Sequence, residues 1–300
     1  MQNDNLKSYL HLHVIVFIWG FTAVLGKLIS LEALDLVWYR MFFAALIMVA
    51  VILITKEKIK VPIHVLAGFI ASGIIIALHW LTFYQAIKVS NVSITLACLS
   101  TGAFFASILE PIFYKRKVIW YEVLFGLIVI FGLGIIFKVE TQYTAGIYLA
   151  VTSAFLSALF SVINGKYAKE YNPNVISIYE LSSGVIFISI YLFFAGSFTP
   201  AFFALSINDI LWLLILSSIC TAYAFSASIK VMKFLSPFTV MLTINLEPIY
   251  GIVLVLLIFP ENEKMSPMFY LGALIILATV IANGIMKSRK KNSNNLKISL

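Results

Sequence analysis

The chain has 300 residues, of which 62% are hydrophobic and only 11% are charged. A soluble domain of this length carries about 25% charged residues, so this chain cannot cover itself with a polar surface and must lie mostly in lipid. The net charge of +8 does not indicate a nucleic-acid partner, because the basic residues lie in loops between apolar segments rather than on one face.

Apolar runs bounded by charged or turn residues predict ten membrane-spanning helices of about 20 residues each. The first run is too long for the apolar part of a signal peptide, so we interpret it as a retained span. In chain order the predicted spans are 12–31, 36–54, 65–86, 92–114, 121–137, 145–164, 174–195, 210–229, 237–259 and 268–286.

The loops between these spans differ in charge on the two sides of the predicted membrane. One side carries most of the basic residues, whereas the other carries only Lys88, Lys138 and Lys264 together with several carboxylates. The positive-inside rule then places both termini in the cytoplasm. Compact loops of this kind suit a multi-pass protein of a bacterial inner (cell) membrane.

The sequence contains an internal repeat of two related halves. Each half has an odd number of predicted spans, so the two halves face opposite ways across a bilayer. The matching segments are Gly26-Lys27 with Gly165-Lys166, Tyr39-Arg40 with Tyr179-Glu180, and 86–89 with 228–231. Inverted repeats of membrane helices build many secondary transporters, whose substrate site lies at the repeat interface. We therefore predict repeats at 1–140 and 141–300, around a central cavity.

Several short motifs occur in a specific order and spacing. They are Trp19-Gly20, Gly26-Lys27, 39–45, 83–88, 246–250 and Pro260-Glu261 with 271–273. Together they resemble the EamA branch of the drug/metabolite transporter superfamily over nearly the whole chain. The chain departs from that pattern at 115–117, where the family commonly has a Gly-Glu pair, and at Pro260, where it commonly has glycine.

The resemblance implies ten helices in two inverted five-helix halves, and export or exchange of small metabolites, often amino acids or their derivatives, without ATP. We expect a small-molecule substrate, the lipid bilayer as surroundings, protons as a candidate coupling ion, and no catalytic residues, metal or cofactor. A homodimer is left open. The alternatives are a membrane sensor or assembly subunit and a lipid-modifying membrane enzyme, although no cluster of catalytic groups or soluble output domain supports either one.

Glu247 is the first candidate for a functional residue, because ionisable groups at membrane depth are costly. It lies about ten residues into the ninth span, at a depth of roughly 15 Å. Pro248 removes a backbone donor there and predicts irregular backbone beside a cavity, with Asn245 nearby. Three interpretations stay open: Glu247 binds an amino group of the substrate, carries a coupling proton, or braces a kinked helix.

The third span offers a polar and aromatic group of candidates for the substrate site. His79 could relay protons or bind a ligand, or could only pack against a neighbour's carbonyl. Trp80 could stack on substrate or serve as packing, and Tyr84 lies further along the same span. In the fourth span, Thr101 stands at the place that corresponds to the Leu246-Glu247-Pro248 segment, so we expect small polar groups opposite the carboxylate.

Lys27 and Arg40 flank one short loop, each about four residues inside the predicted outer boundary, or roughly 6 Å deep. They could form a basic outer vestibule for anionic groups, or Lys27 could extend to the headgroups. We expect Arg40 to pair with Glu32 or Asp35, and Glu180 to pair with an inner-loop lysine rather than with the distant Arg40.

Small residues on the sixth helix, including Ser157 and Ser161, predict close helix packing, with cavity lining as the minority interpretation. Cys98 and Cys220 fall inside spans without CxxC spacing and are expected to be small buried residues.

Overall fold

The computed structural model describes residues 2–115, 117, 120–261 and 263–298. Over these residues the chain is all-α and contains no strand. Among the described residues, eight helical segments are long and apolar enough to cross a membrane, so the protein is a multi-pass membrane protein. Two shorter apolar stretches, Leu124–Val139 and Pro267–Thr279, stand where the fifth and tenth spans are predicted.

The first half of the chain forms six helices. They are α1 (Gln2–Leu28), α2 (Ala33–Thr55), α3 (Ile63–Val89), α4 (Val92–Leu99), α5 (Gly102–Phe113) and α6 (Trp120–Val139). The second half begins after a 3₁₀ turn and forms α7 (Thr144–Tyr167), α8 (Pro173–Phe194), the short α9 (Pro200–Phe203), α10 (Ile207–Ser217), α11 (Ala224–Val231), α12 (Pro237–Ile244), α13 (Glu247–Ile258) and α14 (Pro267–Ile298). A π-helical segment, Ser218–Tyr223, joins α10 to α11.

The predicted fourth and ninth spans are each broken into an 8-residue and a 12-residue helix, with two turn residues between them. At the break in the ninth span, Pro248 supplies the irregular backbone that the sequence predicts. The break in the fourth span has no adjacent proline. There, the hydroxyls of Ser100 and Thr101 donate to the carbonyls of Ala97 and Cys98, 2.6 and 2.7 Å away, and compete with the regular helix bonds.

The two halves run in opposite directions where their first helices meet α3. Gly26, near the end of α1, lies against Tyr84 near the end of α3, so α1 and α3 are parallel. Gly146, near the start of α7, lies against Ser90, just beyond the end of α3, so α7 is antiparallel to α3. Because α7 corresponds to α1 in the repeat, this contact supports the predicted inversion.

Glycines mark several of the close helix crossings. Gly132 of α6 and Gly272 of α14 face each other so closely that a Cβ at either position would lie 3.0–3.1 Å from the other's carbonyl oxygen. A Cβ at Gly73 of α3 would collide with the backbone of Glu180 in α8. Close packing of small residues is what holds helices together in lipid, where no hydrophobic force does so.

Candidate functional site

A cavity lies at the centre of the bundle, lined by residues of α1, α2, α3, α4, α7, α11, α12 and α13. We call it the central cavity. Its aromatic walls are formed by Trp19, Trp80, Phe83, Phe160 and Phe225. Its polar lining comes from Thr22, Arg40, His79, Ser157, Ser161, Asn164, Ser228 and Glu247. The lining is that of a small-molecule site, which is mostly apolar with a few placed polar groups.

Arg40 lies in this cavity and not in an outer vestibule, so its predicted place was wrong. The residue is 3% exposed, and its Nε donates to Oγ1 of Thr221 at 2.7 Å. Its guanidinium also lies over the ring of Trp80, 3.8 Å from the ring centroid, and it forms none of the expected pairs with Glu32 or Asp35. The helix begins at Ala33, earlier than predicted, which puts Arg40 roughly 10 Å along α2 and facing inward.

Tyr84 does not line the central cavity, in contrast to the prediction. Its side chain is fully buried, and its hydroxyl accepts a hydrogen bond from Nη1 of Arg40 at 2.8 Å. Tyr84 therefore acts on the cavity through Arg40, as a positioning residue. Trp80 does line the cavity, but the guanidinium covers one face of its ring.

Glu247 lies at the start of α13, 6% exposed, and lines the central cavity as the sequence predicts. Within the described residues its carboxylate has no hydrogen-bond partner and no ion-pair partner, although Arg40 lines the same cavity. Asn245 lies in the turn before α13, outside the lining, and its Nδ2 is buried without a partner. The break in the ninth span thus holds two polar side chains whose capacity for hydrogen bonds is unused.

His79 makes the packing contact that the sequence analysis gives as one alternative, and it also reaches the central cavity. Its Nδ1 donates to the carbonyl oxygen of Ser153 at 2.9 Å, which is the packing interaction expected of a helix histidine. The ring also lines the central cavity, and in the described part of the chain Nε2 has no hydrogen-bond partner. This second nitrogen is therefore available to a ligand.

Thr101 lies in the helix break, in register with Leu246, as expected. Its side chain is fully buried, bonds to its own helix and is absent from the cavity lining. The prediction that it contributes a polar group to the site was wrong, since a threonine hydroxyl at a broken turn is used by the local backbone.

Lys27 lies away from the central cavity, at the end of the bundle where α1 ends. Its Nζ forms an ion pair with Oε1 of Glu263 at 2.6 Å and lies 4.8 Å from the ring centroid of Phe259. The other oxygen of Glu263 accepts from the backbone N–H of Ser93 at 2.9 Å, at the start of α4. Lys27 therefore helps to hold the end of α1 against Glu263 and the start of α4, and its ammonium group is not free to bind a ligand.

A second contact closes the same end of the bundle. Asp209, at the start of α10, accepts from the backbone N–H and the hydroxyl of Ser30, both at 2.7 Å. Lys88 donates to the carbonyl of Ile29 at 2.9 Å. The lining of the central cavity instead continues to Met232 and Val240, at the end with the basic loops, so the two ends of the bundle differ.

Glu180 does not pair with Lys166 or Lys169, so that expectation was wrong. It is fully buried, accepts a hydrogen bond from Nδ2 of Asn164 at 3.1 Å, and has its Oε1 without a partner. Because Asn164 lines the central cavity, this second buried carboxyl lies directly behind its wall. Arg40 and Glu180 occupy corresponding places in the repeats and do not pair with each other, as expected.

The family model of the EamA-like transporter family matches residues 6–138 and 144–284. The chain belongs to the EamA-like transporter family. It is therefore a membrane transporter of the drug/metabolite type. Among solved structures, one crystal structure is 13% identical with a TM-score of 0.67, covering 92% of this EamA chain and 97% of its own, which shows a shared fold. None of the curated proteins compared matches the chain.

The sequence interpretation missed several residues of the cavity, chiefly Trp19, Thr22, Phe160 and Asn164. Ser157 and Ser161 were assigned mainly to packing, yet they line the cavity, so the minority interpretation applies to them. The available signal was the hydroxyls at 157 and 161, one helical turn apart on the same face. The aromatic residues gave no such signal in a chain with 25 phenylalanines.

Proposed function

We propose that this protein is an ATP-independent secondary transporter that exports or exchanges small zwitterionic metabolites, such as amino acids or their derivatives, by alternating access. One observation carries the proposal: Arg40 and Glu247 line the same cavity with opposite charges and do not form an ion pair. A substrate carboxylate would bind Arg40, and a substrate amino group would bind Glu247.

The desolvation cost of the two charges favours this assignment. Charged groups held apart in a water-poor cavity are expensive, and a zwitterion satisfies both at once. The aromatic walls formed by Trp19, Phe83, Phe160 and Phe225 suit an apolar side chain of the substrate. A metabolite with both charges and an apolar body therefore matches the lining better than a purely anionic or cationic one.

The direction of transport is inferred from the difference between the two ends of the bundle. The basic loops favour a cytoplasmic location for the end toward which the cavity lining continues, with both termini on that side of a bacterial inner membrane. Substrate would then enter from the cytoplasm and leave when the opposite end opens. Two inverted repeats, 1–140 and 141–300, with ten spans in all, would move against each other so that the cavity opens to one side of the membrane at a time.

Proton coupling is proposed at Glu247, whose carboxylate has no cation within ion-pair distance in the described residues. The carboxylate would take up a proton when the substrate ammonium leaves, so that proton and substrate occupy the site in turn. His79, with its available Nε2, could pass that proton within the cavity.

Transport by the purified protein in liposomes tests the proposal. A pooled mixture of amino acids, amines, organic acids and sugars is offered with and without a pH gradient, and the lumen is read by mass spectrometry against empty vesicles. We expect selective accumulation of zwitterions, increased by the gradient. Accumulation of only anions or only cations would contradict the site assignment. No accumulation by folded protein would favour the sensor or enzyme alternatives.

A further inference from the structure

A second cavity of about 480 Å³ lies between α1, α2, the start of α8 and the segment from the π-helix into α11. We call it the lateral cavity. It shares no lining residue with the central cavity. Its wall includes Tyr223, which is 48% exposed, so the lateral cavity opens on the side of the bundle that faces lipid.

Polarity changes along the depth of the lateral cavity. Lys230 and Lys233 are exposed and lie where α11 ends, at the level of the basic loops. Met48 lies seven residues before the end of α2, so roughly 10 Å deeper, and the wall beside it is apolar at Ile47 and Val51. This cavity is therefore cationic at headgroup level and apolar along α2 at the level of acyl chains, whereas on its other side Nε2 of His11 and the hydroxyl of Tyr223 form a hydrogen bond of 2.9 Å.

Glu57 gives the lateral cavity its specific feature. Its Oε1 accepts from Nδ2 of Asn174 at 3.0 Å, and Oδ1 of Asn174 accepts from Ser226 at 2.6 Å. The second oxygen, Oε2, is buried without a hydrogen-bond partner, and in the described part of the chain neither Lys230 nor Lys233 forms an ion pair with it. A buried carboxylate oxygen without a donor is costly, and an ammonium group would satisfy it.

We propose that the lateral cavity binds a glycerophospholipid whose headgroup carries a primary ammonium beside its phosphate. The ammonium donates to Oε2 of Glu57, and the phosphate contacts Lys230 and Lys233 as point charges. One acyl chain lies along the apolar wall at Met48. This site is separate from the central cavity and therefore independent of the transported substrate.

The chemistry of the cavity selects this class over other lipids. A trimethylated ammonium has no N–H donor for Glu57, and an anionic headgroup without an amine would leave Oε2 unpaired beside a negative charge. A soluble phosphorylated amine would satisfy both charges but leave the apolar wall empty. Because burying a methylene contributes about 0.8 kcal/mol, the acyl chain matters for affinity.

Native mass spectrometry of the full-length protein tests the lipid class. The protein is equilibrated in micelles with equal amounts of phosphatidylethanolamine and phosphatidylcholine that have the same acyl chains. We expect retained phosphatidylethanolamine to exceed phosphatidylcholine about tenfold, the size of one charge-assisted hydrogen bond. Glu57→Gln, which keeps the acceptor for Asn174, should abolish this preference, whereas Glu170→Gln, at an exposed loop carboxylate on the same side, should not.

Two further experiments test the phosphate contacts and distinguish a whole lipid from a free phosphorylated amine. The double variant Lys230→Gln, Lys233→Gln should lower retention of both lipids, because the phosphate contacts are lost. Free phosphoethanolamine, at the same concentration as the lipid, should leave retention unchanged. Equal retention of the two lipids by the unaltered protein, an unchanged preference in Glu57→Gln, or full displacement by phosphoethanolamine would each overturn the proposal. Unfolding midpoints within a few degrees of the parent show that the variants are folded.

Discussion

Arg40 and Glu247 are buried charges with different support. Arg40 is held by Tyr84, Thr221 and the face of Trp80, so its position is fixed before a ligand arrives. In the described residues Glu247 has no such partners. Under the proposed function, a fixed cation and an unpartnered carboxylate in one cavity would make Arg40 the orienting group and Glu247 the group whose state depends on the ligand.

Glu247→Gln is expected to reduce transport at least tenfold while leaving insertion and folding intact. Glutamine keeps the shape but loses the charge that attracts an amino group, a difference of about 1.5–3 kcal/mol for a hydrogen bond to a charged group. Liposome uptake and the unfolding midpoint measure the two effects. Unchanged transport, with Glu170→Gln as the control for charge loss at the surface, would return Glu247 to a structural role.

Tyr84→Phe is expected to raise KM about two- to tenfold with a smaller change in the maximal rate. Removing the hydroxyl leaves Nη1 of Arg40 without its acceptor, and a net hydrogen bond contributes about 0.5–1.5 kcal/mol. Concentration series of uptake separate the two constants. Tyr148→Phe, at a position 63% exposed toward lipid, is the matched control and should leave KM unchanged; equal effects of both variants would argue against a positioning role.

At the scale of helices, the sequence predicts the apolar spans far better than their interruptions. The break at Asn245-Leu246 follows from Pro248 and the break at Ser100-Thr101 from hydroxyl bonds within the same turn, but the π-helical segment Ser218–Tyr223 depends on contacts with other helices. In the π-helical segment, Thr221 donates to the carbonyl of Leu216 at 2.7 Å and accepts from Arg40. A local pattern contains no information about a partner 181 positions away.

Gly73→Ala is expected to lower the stability of the protein by about 1–3 kcal/mol, because the new methyl group collides with the backbone of Glu180 and forces α3 away from α8. Unfolding in detergent, followed by helicity, measures this loss as a lower midpoint. Gly134→Ala is the control, since a Cβ there meets no neighbouring atom and alanine favours the helix. A midpoint for Gly73→Ala at or above that of Gly134→Ala would contradict the tight crossing.

At the scale of the whole molecule, the closed end of the bundle depends on two carboxylates. Glu263 joins the end of α1 to the start of α4, and Asp209 joins the loop at Ser30 to α10. The proposed alternating access would require these contacts to be broken when that end opens. The balance between open and closed states would then depend on their strength.

Lys27→Gln is expected to shift the protein toward opening at this end, because it removes the ion pair while Glu263 still accepts from the start of α4. Thr22→Cys, near this end of the central cavity, reports the change as faster labelling by a membrane-impermeant maleimide added on the same side. Cys98 and Cys220 are buried and give the background. Lys264→Gln, at an exposed neighbour, should leave labelling unchanged; equal rates in all variants would contradict a gating role for the ion pair.

The sequence by itself determined that the chain lies in a membrane, that its helices come in two related sets, that Glu247 falls inside an apolar span, and which family it resembles. These properties follow from composition, periodicity and local motifs, which act over a few residues. Tertiary structure alone decided that Arg40 lines the cavity, that Tyr84 holds it there, that Thr101 does not reach it, and that Lys27 pairs with Glu263. The physical reason is that a side chain's partner in lipid is set by which helix faces meet, and those contacts join residues far apart in the sequence.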